Sequence, residues 1–287
     1  MKKPAIQILL ETLTYFPIGF QYQLAGFLGF VVAGTRNQVT ILTDKNIRLC
    51  FDGLNRAKQL SLAKASIRHT CISLFELSAI WYWPVHKILA RIEQENVCKQ
   101  YSQSHKGRLI IAPHLGSWEL LNIWLAENSI LFSLYKPQRN AKVDKFILQS
   151  RSRNGAQLVP TDVSGLRKLI KGLKQGATVM ILPDQKPQTT KSGVDSLFFG
   201  HSASTTTLIR SICNKIDCDV FIGAMYRRDA SGTFSLCIES LDHNALAASE
   251  VDSAQYLNDQ IEIKIRSHPD QYQWGYKRFT RAVYDTL

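Results

Sequence analysis

The sequence lacks an apolar run long enough to cross a membrane as one straight helix. Residues 6–33 are mostly apolar, but their cleanest stretch, residues 24–33, has only ten residues, whereas a bilayer-spanning helix needs about 20. No small-x-small cleavage site follows, so a secretory signal peptide is not indicated either. The basic side chains that follow the stretch are Arg36, Lys45, Arg48, Arg56 and Lys58. We therefore expect residues 1–35 to form an apolar helical segment that associates with a membrane from its cytoplasmic side, with a buried hairpin of core helices as the alternative.

The cysteines also exclude several classes of protein. There are six, at positions 50, 71, 98, 213, 218 and 237, with no Cys-x-x-Cys pair and no zinc-type spacing with histidine. This pattern indicates free thiols in a reducing cytoplasm and predicts neither a disulfide scaffold nor a metal site. Internal repeats, low-complexity tracts and long Gly/Ser linkers are missing too. We therefore expect residues 36–287 to form one domain.

Acidic residues are few relative to basic ones. The chain has 35 Lys and Arg against 23 Asp and Glu, which gives a formal net charge of +12. Such an excess is typical of proteins with polyanionic partners, which include nucleic acid, anionic lipid headgroups and acidic proteins. Because zinc spacing and a basic reading helix are both missing, we do not expect nucleic acid to be the partner.

From residue 108 onward, short apolar runs alternate with amphipathic segments. This alternation predicts an α/β fold with a mixed, centrally parallel sheet flanked by helices. The predicted strands are residues 109–112, 130–135, 178–182, 220–226 and 234–239. The predicted helices lie near residues 117–127, 142–153, 164–175, 204–216 and 252–267, after a helical region at 53–100.

His114 follows the first predicted strand directly, and Glu119 lies five residues further on. On one continuous helix, five residues turn through roughly 500°, so the two side chains would diverge. They meet only if His114 lies in the loop and Glu119 lies in the first turns of the next helix. A histidine oriented by a carboxylate is the minimum equipment for taking a proton from a hydroxyl. We therefore predict that His114 and Glu119 form the catalytic pair.

Other polar residues occur at the ends of predicted elements, where open α/β sheets place their binding sites. Asp184 and Gln185 follow one predicted strand, and Lys136 follows another. Arg153 ends a predicted helix, and residues 204–207 open one. Taken singly, such residues have ordinary structural interpretations, as turn caps, helix N-caps or solvated side chains. Their joint occurrence in the loops of one α/β pattern favours a functional site.

The stretch His114-Leu-Gly-Ser-Trp-Glu119 resembles the His-x-x-x-x-Asp/Glu signature of the glycerolipid acyltransferase superfamily. Further blocks in the same order resemble its bacterial branch, the late acyltransferases of lipid A biosynthesis. These blocks are Asn46-Ile-Arg-Leu-Cys-Phe51, Tyr135-Lys-Pro, Pro183-Asp184-Gln185 with Pro187, Phe198-Phe-Gly200 with Ser204-Thr-Thr-Thr207, Pro269-Asp-Gln-Tyr-Gln-Trp274 and Lys277-Arg278-Phe279. The similarity extends over nearly the whole chain. It departs from the family pattern at Asp270, where Glu is usual, and at Tyr276, where His is usual.

The resemblance implies an activity and its partners. A fatty acyl group would pass from an acyl carrier protein thioester to a hydroxyl of a lipid A precursor, at the cytoplasmic face of the bacterial inner membrane. No cofactor or metal ion is expected. His114 would act as the general base and Glu119 would accept its other ring N–H. The acceptor would attack directly without a covalent acyl-enzyme, in agreement with the lack of a Gly-x-Ser-x-Gly elbow.

The remaining site residues are expected to bind the substrates. Oxyanion donors are expected at the backbone N–H groups of Gly116 and Ser117, or at Arg153. Asp184 is expected to position groups in the site, and Gln185 and Lys136 to contact substrate. The charge excess would steer an acidic carrier protein or bind acceptor phosphates. The basic candidates for these roles are Lys136, Arg139, Lys142, Lys145, Arg151, Lys186, Arg227 and Arg228.

Three alternatives stay open at this point. The same residues suit a glycerophospholipid or other glycolipid O-acyltransferase, although Glu119 and the block around Asp184 favour the lipid A branch. A non-catalytic lipid-binding homologue is the second alternative, which an intact His114 and Glu119 oppose. A nucleic-acid-binding protein is the third, suggested only by the basic charge and the aromatic residues.

Overall fold

A seven-stranded sheet forms the centre of this computed structural model, which describes residues 3–187, 189 and 192–285. The described strands are β1 (Ile92–Val97), β2 (Arg108–Ile111), β3 (Leu131–Tyr135), β4 (Gln157–Pro160), β5 (Thr178–Ile181), β6 (Gly193–Phe198), β7 (His201–Thr206), β8 (Asp219–Arg227) and β9 (Phe234–Leu241). The sheet has the order β1-β9-β8-β2-β5-β3-β4, and β6 and β7 form a separate hairpin. Strands β8, β2, β5, β3 and β4 are parallel neighbours, and β9 runs antiparallel to β8. The prediction of a mixed, centrally parallel sheet is confirmed.

The central strands are buried along almost their whole length. All four residues of β5 are buried, and β8 is buried from its second residue to its last. Strands of a parallel sheet that is covered on both faces carry continuous apolar runs. Such runs can be recognised in the sequence. All five predicted strands occur in the structure, and their ends differ from the prediction by at most two residues.

Helices cover both faces of the sheet. They are α1 (Ala5–Leu13), α2 (Ile18–Ala33), α3 (Gln38–Cys50), α4 (Arg56–Tyr82), α5 (Val85–Leu89), α6 (Lys99–Gln103), α7 (Trp118–Asn128), α8 (Ala141–Arg151), α9 (Val163–Lys174), α10 (Leu208–Cys213), α11 (His243–Ala247), α12 (Glu250–Ser267) and α13 (Arg281–Asp285). Side chains alternate along a strand, so Leu109 and Ile111 of β2 join the core on one face and Ile110 joins the core on the other. Helices α9, α10 and α12 contribute to the first core, and α1, α2, α7 and α8 contribute to the second.

The predicted N-terminal helical segment is present as α1 and α2, which pack on α4. The contact with α4 is close at Gly29, where an added Cβ would lie 2.7 Å from the Cα of Arg68. The apolar side chains of these two helices and their connection that stay exposed are Ile8, Leu9, Tyr15, Phe16, Phe20, Leu24, Phe27, Leu28, Phe30 and Val31. Among the described residues, no single helix is both long and apolar enough to cross a membrane, and α2 and α3 satisfy that test only as a pair bent by 83°.

Two segments differ from the sequence prediction. Residues 92–97 form β1 and not the end of a helical region, because this edge strand is held by backbone pairing with β9 while Glu93, Glu95 and Asn96 are exposed. Ser204 to Thr206 end β7 and do not open a helix, because they pair with β6 across the hairpin. Helix α10 begins only at Leu208. Neither pairing produces an apolar pattern that sequence inspection detects.

The cysteines behave as the sequence predicts. All six are free thiols, and four of them are buried. Among the described residues, no three His, Cys, Asp or Glu side chains come together as a metal site.

Candidate active site

Two neighbouring strands bring His114 and Asp184 together. Strands β2 and β5 are parallel, and their last residues, Ile111 and Ile181, are paired. His114 follows the first of these residues by three positions, and Asp184 follows the second by three. Because the carboxyl ends of parallel strands meet at one edge of the sheet, equal offsets place the two side chains side by side.

The Asp184 carboxylate holds His114 at two points. Its Oδ1 lies 2.8 Å from Nδ1 of the imidazole, and its Oδ2 accepts the backbone N–H of His114 at 3.0 Å. The carboxylate is almost completely buried, with 1% of the side chain exposed, whereas 18% of the histidine side chain is exposed. The pair therefore has a buried anchor and an accessible ring.

The environment of Asp184 keeps it ionised. Burial alone would raise its pKa, but the charge and hydrogen bonds of His114 outweigh burial and hold that pKa below its usual value. An ionised carboxylate only accepts hydrogen bonds, so Nδ1 is the ring nitrogen that donates to it. In the neutral form of the ring, Nε2 then presents its lone pair. The side-chain nitrogen of Gln185 lies 3.4 Å from Nε2, a long contact that a substrate hydroxyl can replace. The structure thus places both Asp184 and Gln185 at the predicted base.

Glu119 does not make the predicted contact with His114. Its carboxylate accepts hydrogen bonds from Arg151, with Nε of the arginine 2.9 Å from Oε1 and 3.1 Å from Oε2, and Nη2 also donates to Oε1. The indole N–H of Trp81 adds a longer bond of 3.4 Å to Oε2. Both carboxylate oxygens of Glu119 are occupied in this way, while the ring of His114 is bound by Asp184. The prediction that Glu119 orients the histidine is therefore wrong for this structure.

Arg151 is a site residue for which the sequence predicted no partner. Burial would lower its pKa, but the charge and hydrogen bonds of Glu119 outweigh burial and raise that pKa. About 30% of the side chain is exposed, so a fixed positive charge lies near the start of α7. Its separation of 32 residues from Glu119 explains why no local sequence signal predicts the pairing.

The loop between β2 and α7 is clamped from both sides. The N–H of Gly116 donates to the carbonyl of Gln271 at 3.1 Å, and the N–H of Ser117 donates to the carbonyl of Met225 at 2.7 Å. These two N–H groups, which we predicted as oxyanion donors, are therefore already used. Helix α7 begins at Trp118 without a side-chain cap. Its first-turn N–H groups, at Trp118 and Glu119, are the donors that this loop leaves for an anion.

A buried ion pair fixes the same loop from behind. Nη2 of Arg227 donates to the carbonyl of Gly116 at 3.0 Å and to Glu76 at 2.6 Å. Glu76 also accepts a hydrogen bond of 2.8 Å from the hydroxyl of Tyr22, on α2. The side chains of Arg227 and Glu76 are each only 2% exposed. Arg227 is therefore a structural residue and not the surface cation that we predicted, and it connects the N-terminal helices to the catalytic loop.

The other predicted site residues are less directly placed. Arg153 lies beyond the end of α8, where its Nη2 donates to the carbonyl of Trp83 at 2.7 Å and burial lowers its pKa. Lys136 is exposed in the loop after β3. Lys186 is partly buried, and burial together with the nearby charges of Arg278 and Lys277 lowers its pKa. Of the predicted substrate-binding residues, the structure brings only Asp184 and Gln185 into hydrogen-bonding contact with His114 among the residues described.

This arrangement defines a class of protein. A partly exposed imidazole is held through Nδ1 by a buried carboxylate, and no serine or cysteine nucleophile is hydrogen-bonded to the ring among the described residues. Such a site has the groups needed to take a proton from a bound hydroxyl without forming a covalent intermediate. The fold and the site together suit a transferase that acts on a hydroxyl group.

Comparison with known proteins identifies the family. The profile described as bacterial lipid A biosynthesis acyltransferase matches residues 5–281, so the chain belongs to that family. The chain is similar to the lipid A biosynthesis palmitoleoyltransferase of Escherichia coli (strain K12), with 23% identity over 83% of this chain and 78% of that protein. It is also similar to the lipid A biosynthesis lauroyltransferase of the same organism, with 23% identity over 90% of this chain and 84% of the relative. A lipid A biosynthesis acyltransferase of Haemophilus influenzae matches at 23% identity over 91% and 82%.

The first prediction concerns the tight loop after His114. Gly116 has a φ of +62°, and a Cβ added there would lie 2.1 Å from the carbonyl oxygen of Met225. Gly155 has a φ of +85° but open space around it. We expect Gly155→Ala to lower the free energy of unfolding by about 1–2 kcal/mol. Gly116→Ala should lower the free energy of unfolding by about 1–3 kcal/mol more. The rate of acyl transfer should fall in proportion to the fraction of the variant that stays folded.

Denaturant unfolding and the transfer rate of the two variants check this expectation. Equal losses of stability for the two substitutions, with full activity in Gly116→Ala, would show that the loop is not clamped as described.

Proposed function

We propose that the protein transfers a fatty acyl group from an acyl carrier protein thioester to a hydroxyl of a lipid A precursor, with His114 as the general base. The observation that carries this proposal is the hydrogen-bonded pair of His114 and Asp184 at the carboxyl edge of β2 and β5. Membership of the lipid A acyltransferase family supports the class of acceptor. The carrier-protein donor is part of the proposal and rests on the resemblance of the sequence blocks.

The chemistry begins with the acceptor hydroxyl. Its proton passes to Nε2 of His114 while its oxygen attacks the thioester carbon, and Asp184 stabilises the imidazolium that forms. The tetrahedral intermediate then expels the thiolate of the carrier, which takes the proton back from His114. The histidine is neutral again at the end, and the products are the ester and the free carrier thiol.

Charge on the tetrahedral oxygen requires donors that are already in place. The uncapped start of α7 supplies the N–H groups of Trp118 and Glu119 together with the positive end of the helix dipole. Arg151 adds a fixed positive charge that Glu119 holds in position. In this proposal Glu119 is a positioning residue for Arg151, and Asp184 is the positioning residue for His114.

The acceptor is a lipid, and the exposed N-terminal side chains suit a lipid surface. Phe27 and Phe30 of α2 are 64% and 73% exposed, and Tyr15 before this helix is 87% exposed. Exposed apolar patches of this kind mark interaction sites, and aromatic side chains favour the membrane interface. We propose that α1 and α2 attach the protein to the cytoplasmic face of the bacterial inner membrane.

The alternative of a glycerophospholipid acyltransferase uses the same base and differs in acceptor. The family profile and the named relatives all favour a lipid A precursor. In the decisive experiment, the purified protein receives acyl carrier protein thioester as the donor. The acceptor is either tetraacylated lipid A precursor or lysophosphatidate. We expect ester formation on the lipid A precursor, with product measured by mass spectrometry. A strong preference for lysophosphatidate would refute the assignment.

The pH dependence of activity should distinguish the roles of Asp184 and Glu119. Asp184→Asn keeps the side-chain volume but removes the charge behind the ring, so kcat should fall by about 10³–10⁴-fold. The acid limb of its residual activity should move to lower pH, because the lost carboxylate no longer stabilises the imidazolium. Glu119→Gln should lower activity without moving the acid limb, because its partner is Arg151.

The pH profiles of kcat/KM for the two variants provide the measurement, with His114→Ala as the inactive reference. If Glu119→Gln moves the acid limb and Asp184→Asn does not, the roles of the two carboxylates are reversed.

Membrane attachment gives a separate prediction. The double variant Phe27→Asp, Phe30→Asp should bind vesicles with anionic phospholipid at least about 100-fold more weakly, because two aromatic side chains would no longer be buried in lipid. The matched control is Val163→Asp, Ile263→Asp, which changes two exposed apolar residues elsewhere (67% and 56% exposed) and adds the same charge. Sedimentation with vesicles compares the two variants. Equal binding would contradict attachment through α2.

A further inference from the structure

The structure divides the basic residues of the chain into paired and unpaired ones. Several exposed cations have a carboxylate within hydrogen-bonding distance, such as Lys106 with Asp217 and Arg56 with Asp44. Arg151 and Arg227, which the sequence offered as candidates, are held by Glu119 and Glu76. Arg228 is paired with Glu93. These cations are therefore less available to an acidic partner.

One group of exposed cations has no such partner among the described residues. It comprises Lys136, Arg139, Lys142 and Lys145, which we call the α8 basic face. The acidic residue within this stretch, Asp144, accepts the backbone N–H of Gln138 at 2.7 Å and so serves the local turn. On α8, Lys142 and Lys145 are both exposed, while Phe146 packs into the core. The face thus carries four cations against one carboxylate, with no salt bridge among the described residues.

This face begins at the same edge of the sheet as the catalytic pair. Ser133 of β3 is paired with Met180 of β5. Lys136 follows Ser133 by three residues, and Asp184 follows Met180 by four. Both residues therefore lie just beyond the carboxyl ends of their strands, at the same edge of the sheet. The other end of α8 carries Arg151, which binds Glu119 in the first turn of α7. The α8 basic face therefore starts at the edge of the sheet that carries the site, and the helix that bears Lys142 and Lys145 ends at Arg151, which binds Glu119.

A second basic surface provides the comparison. Helix α9 exposes Arg167, Lys168, Lys171 and Lys174, again with no salt bridge among the described residues. Its last turn leads into the amino-terminal end of β5, and a helix of twelve residues spans about 18 Å. Lys171 and Lys174 therefore approach the edge of the sheet opposite to His114.

We propose that the α8 basic face is the docking surface for the acidic carrier protein that delivers the acyl thioester. This inference rests on the proposed function, because it requires a carrier-borne donor. An acidic surface would be attracted to the unpaired cations and would be oriented with its thioester arm toward the site edge. The proposal assigns the α9 cations no part in this docking.

The test compares two triple variants with equal change of charge. The docking variant carries Arg139→Glu, Lys142→Glu and Lys145→Glu, and the control carries Lys168→Glu, Lys171→Glu and Lys174→Glu. Lys136 is kept, because the sequence also predicts a substrate contact for it. Transfer to the lipid A precursor is measured with acyl carrier protein thioester and with the acyl N-acetylcysteamine thioester, which has no protein to dock. Binding of the carrier protein itself is measured by fluorescence anisotropy.

For the docking variant we expect carrier binding and kcat/KM with the carrier thioester to fall by about 10- to 100-fold at low salt, with a smaller difference at high salt. Its transfer from the small thioester should equal that of the unsubstituted protein, and the α9 control should behave like the unsubstituted protein with both donors. Equal losses in the two variants, or no loss in the docking variant, would overturn the docking surface.

Two further outcomes would show whether the docking surface or the proposed function is wrong. If the docking variant loses binding to anionic vesicles and keeps its affinity for the carrier, the face contacts the membrane and the proposal is wrong. If the unsubstituted protein transfers from the small thioester but neither binds nor uses the carrier thioester, the docking surface fails while the acyltransferase assignment stands. Absence of transfer from both donors would overturn the proposed function as well.

Discussion

The Asp184 carboxylate is the contact on which the site depends. One oxygen fixes the imidazole of His114 and the other fixes the backbone of the same residue, so that ring and main chain are held together. A carboxylate that is buried and ionised is stable only when it is hydrogen-bonded, and here the histidine supplies two of those bonds. The sheet makes this possible, because two parallel strands end at paired residues and continue by the same number of residues to the two side chains.

A second layer of ion pairs holds the elements around this contact. Glu119 and Arg151 join the start of α7 to the end of α8, and Glu76 and Arg227 join α4 to the last residue of β8. The hydroxyl of Tyr22 extends the second pair to α2. The N-terminal helices, which expose the apolar side chains proposed to enter the membrane, are therefore continuous with the structure that fixes the catalytic loop. The helices proposed to attach to lipid and the proposed base therefore belong to one packed unit.

Much of the fold could be predicted from the sequence, because burial leaves a direct pattern. The continuous apolar runs of β5 and β8 identify central strands, and the alternation of strands and helices identifies a mixed sheet with a parallel centre. The edge strand β1 could not be predicted, because its pairing uses backbone groups while its side chains are polar. Residues 204–206 suit a helix N-cap by composition, and only their pairing with β6 shows that they belong to a hairpin.

For the site, the sequence identified His114 and Asp184 as residues of interest but assigned the wrong partner to the histidine. Glu119 is close in sequence, and Asp184 is 70 residues away. Only the neighbouring placement of β2 and β5 shows that the distant carboxylate is the nearer one. The equal spacing of both residues from the ends of their strands was a signal that could have revealed the pair.

The central claim is that Asp184, and not Glu119, holds His114 with its proton on Nδ1. Nitrogen-15 NMR of histidine-labelled protein tests this directly, with the His114 signals assigned by their loss in His114→Gln. In the neutral form of the ring, the account predicts a proton on Nδ1 and none on Nε2, a preference that Asp184→Asn changes and Glu119→Gln does not. A proton on Nε2, or signals that respond to Glu119→Gln and not to Asp184→Asn, would contradict it.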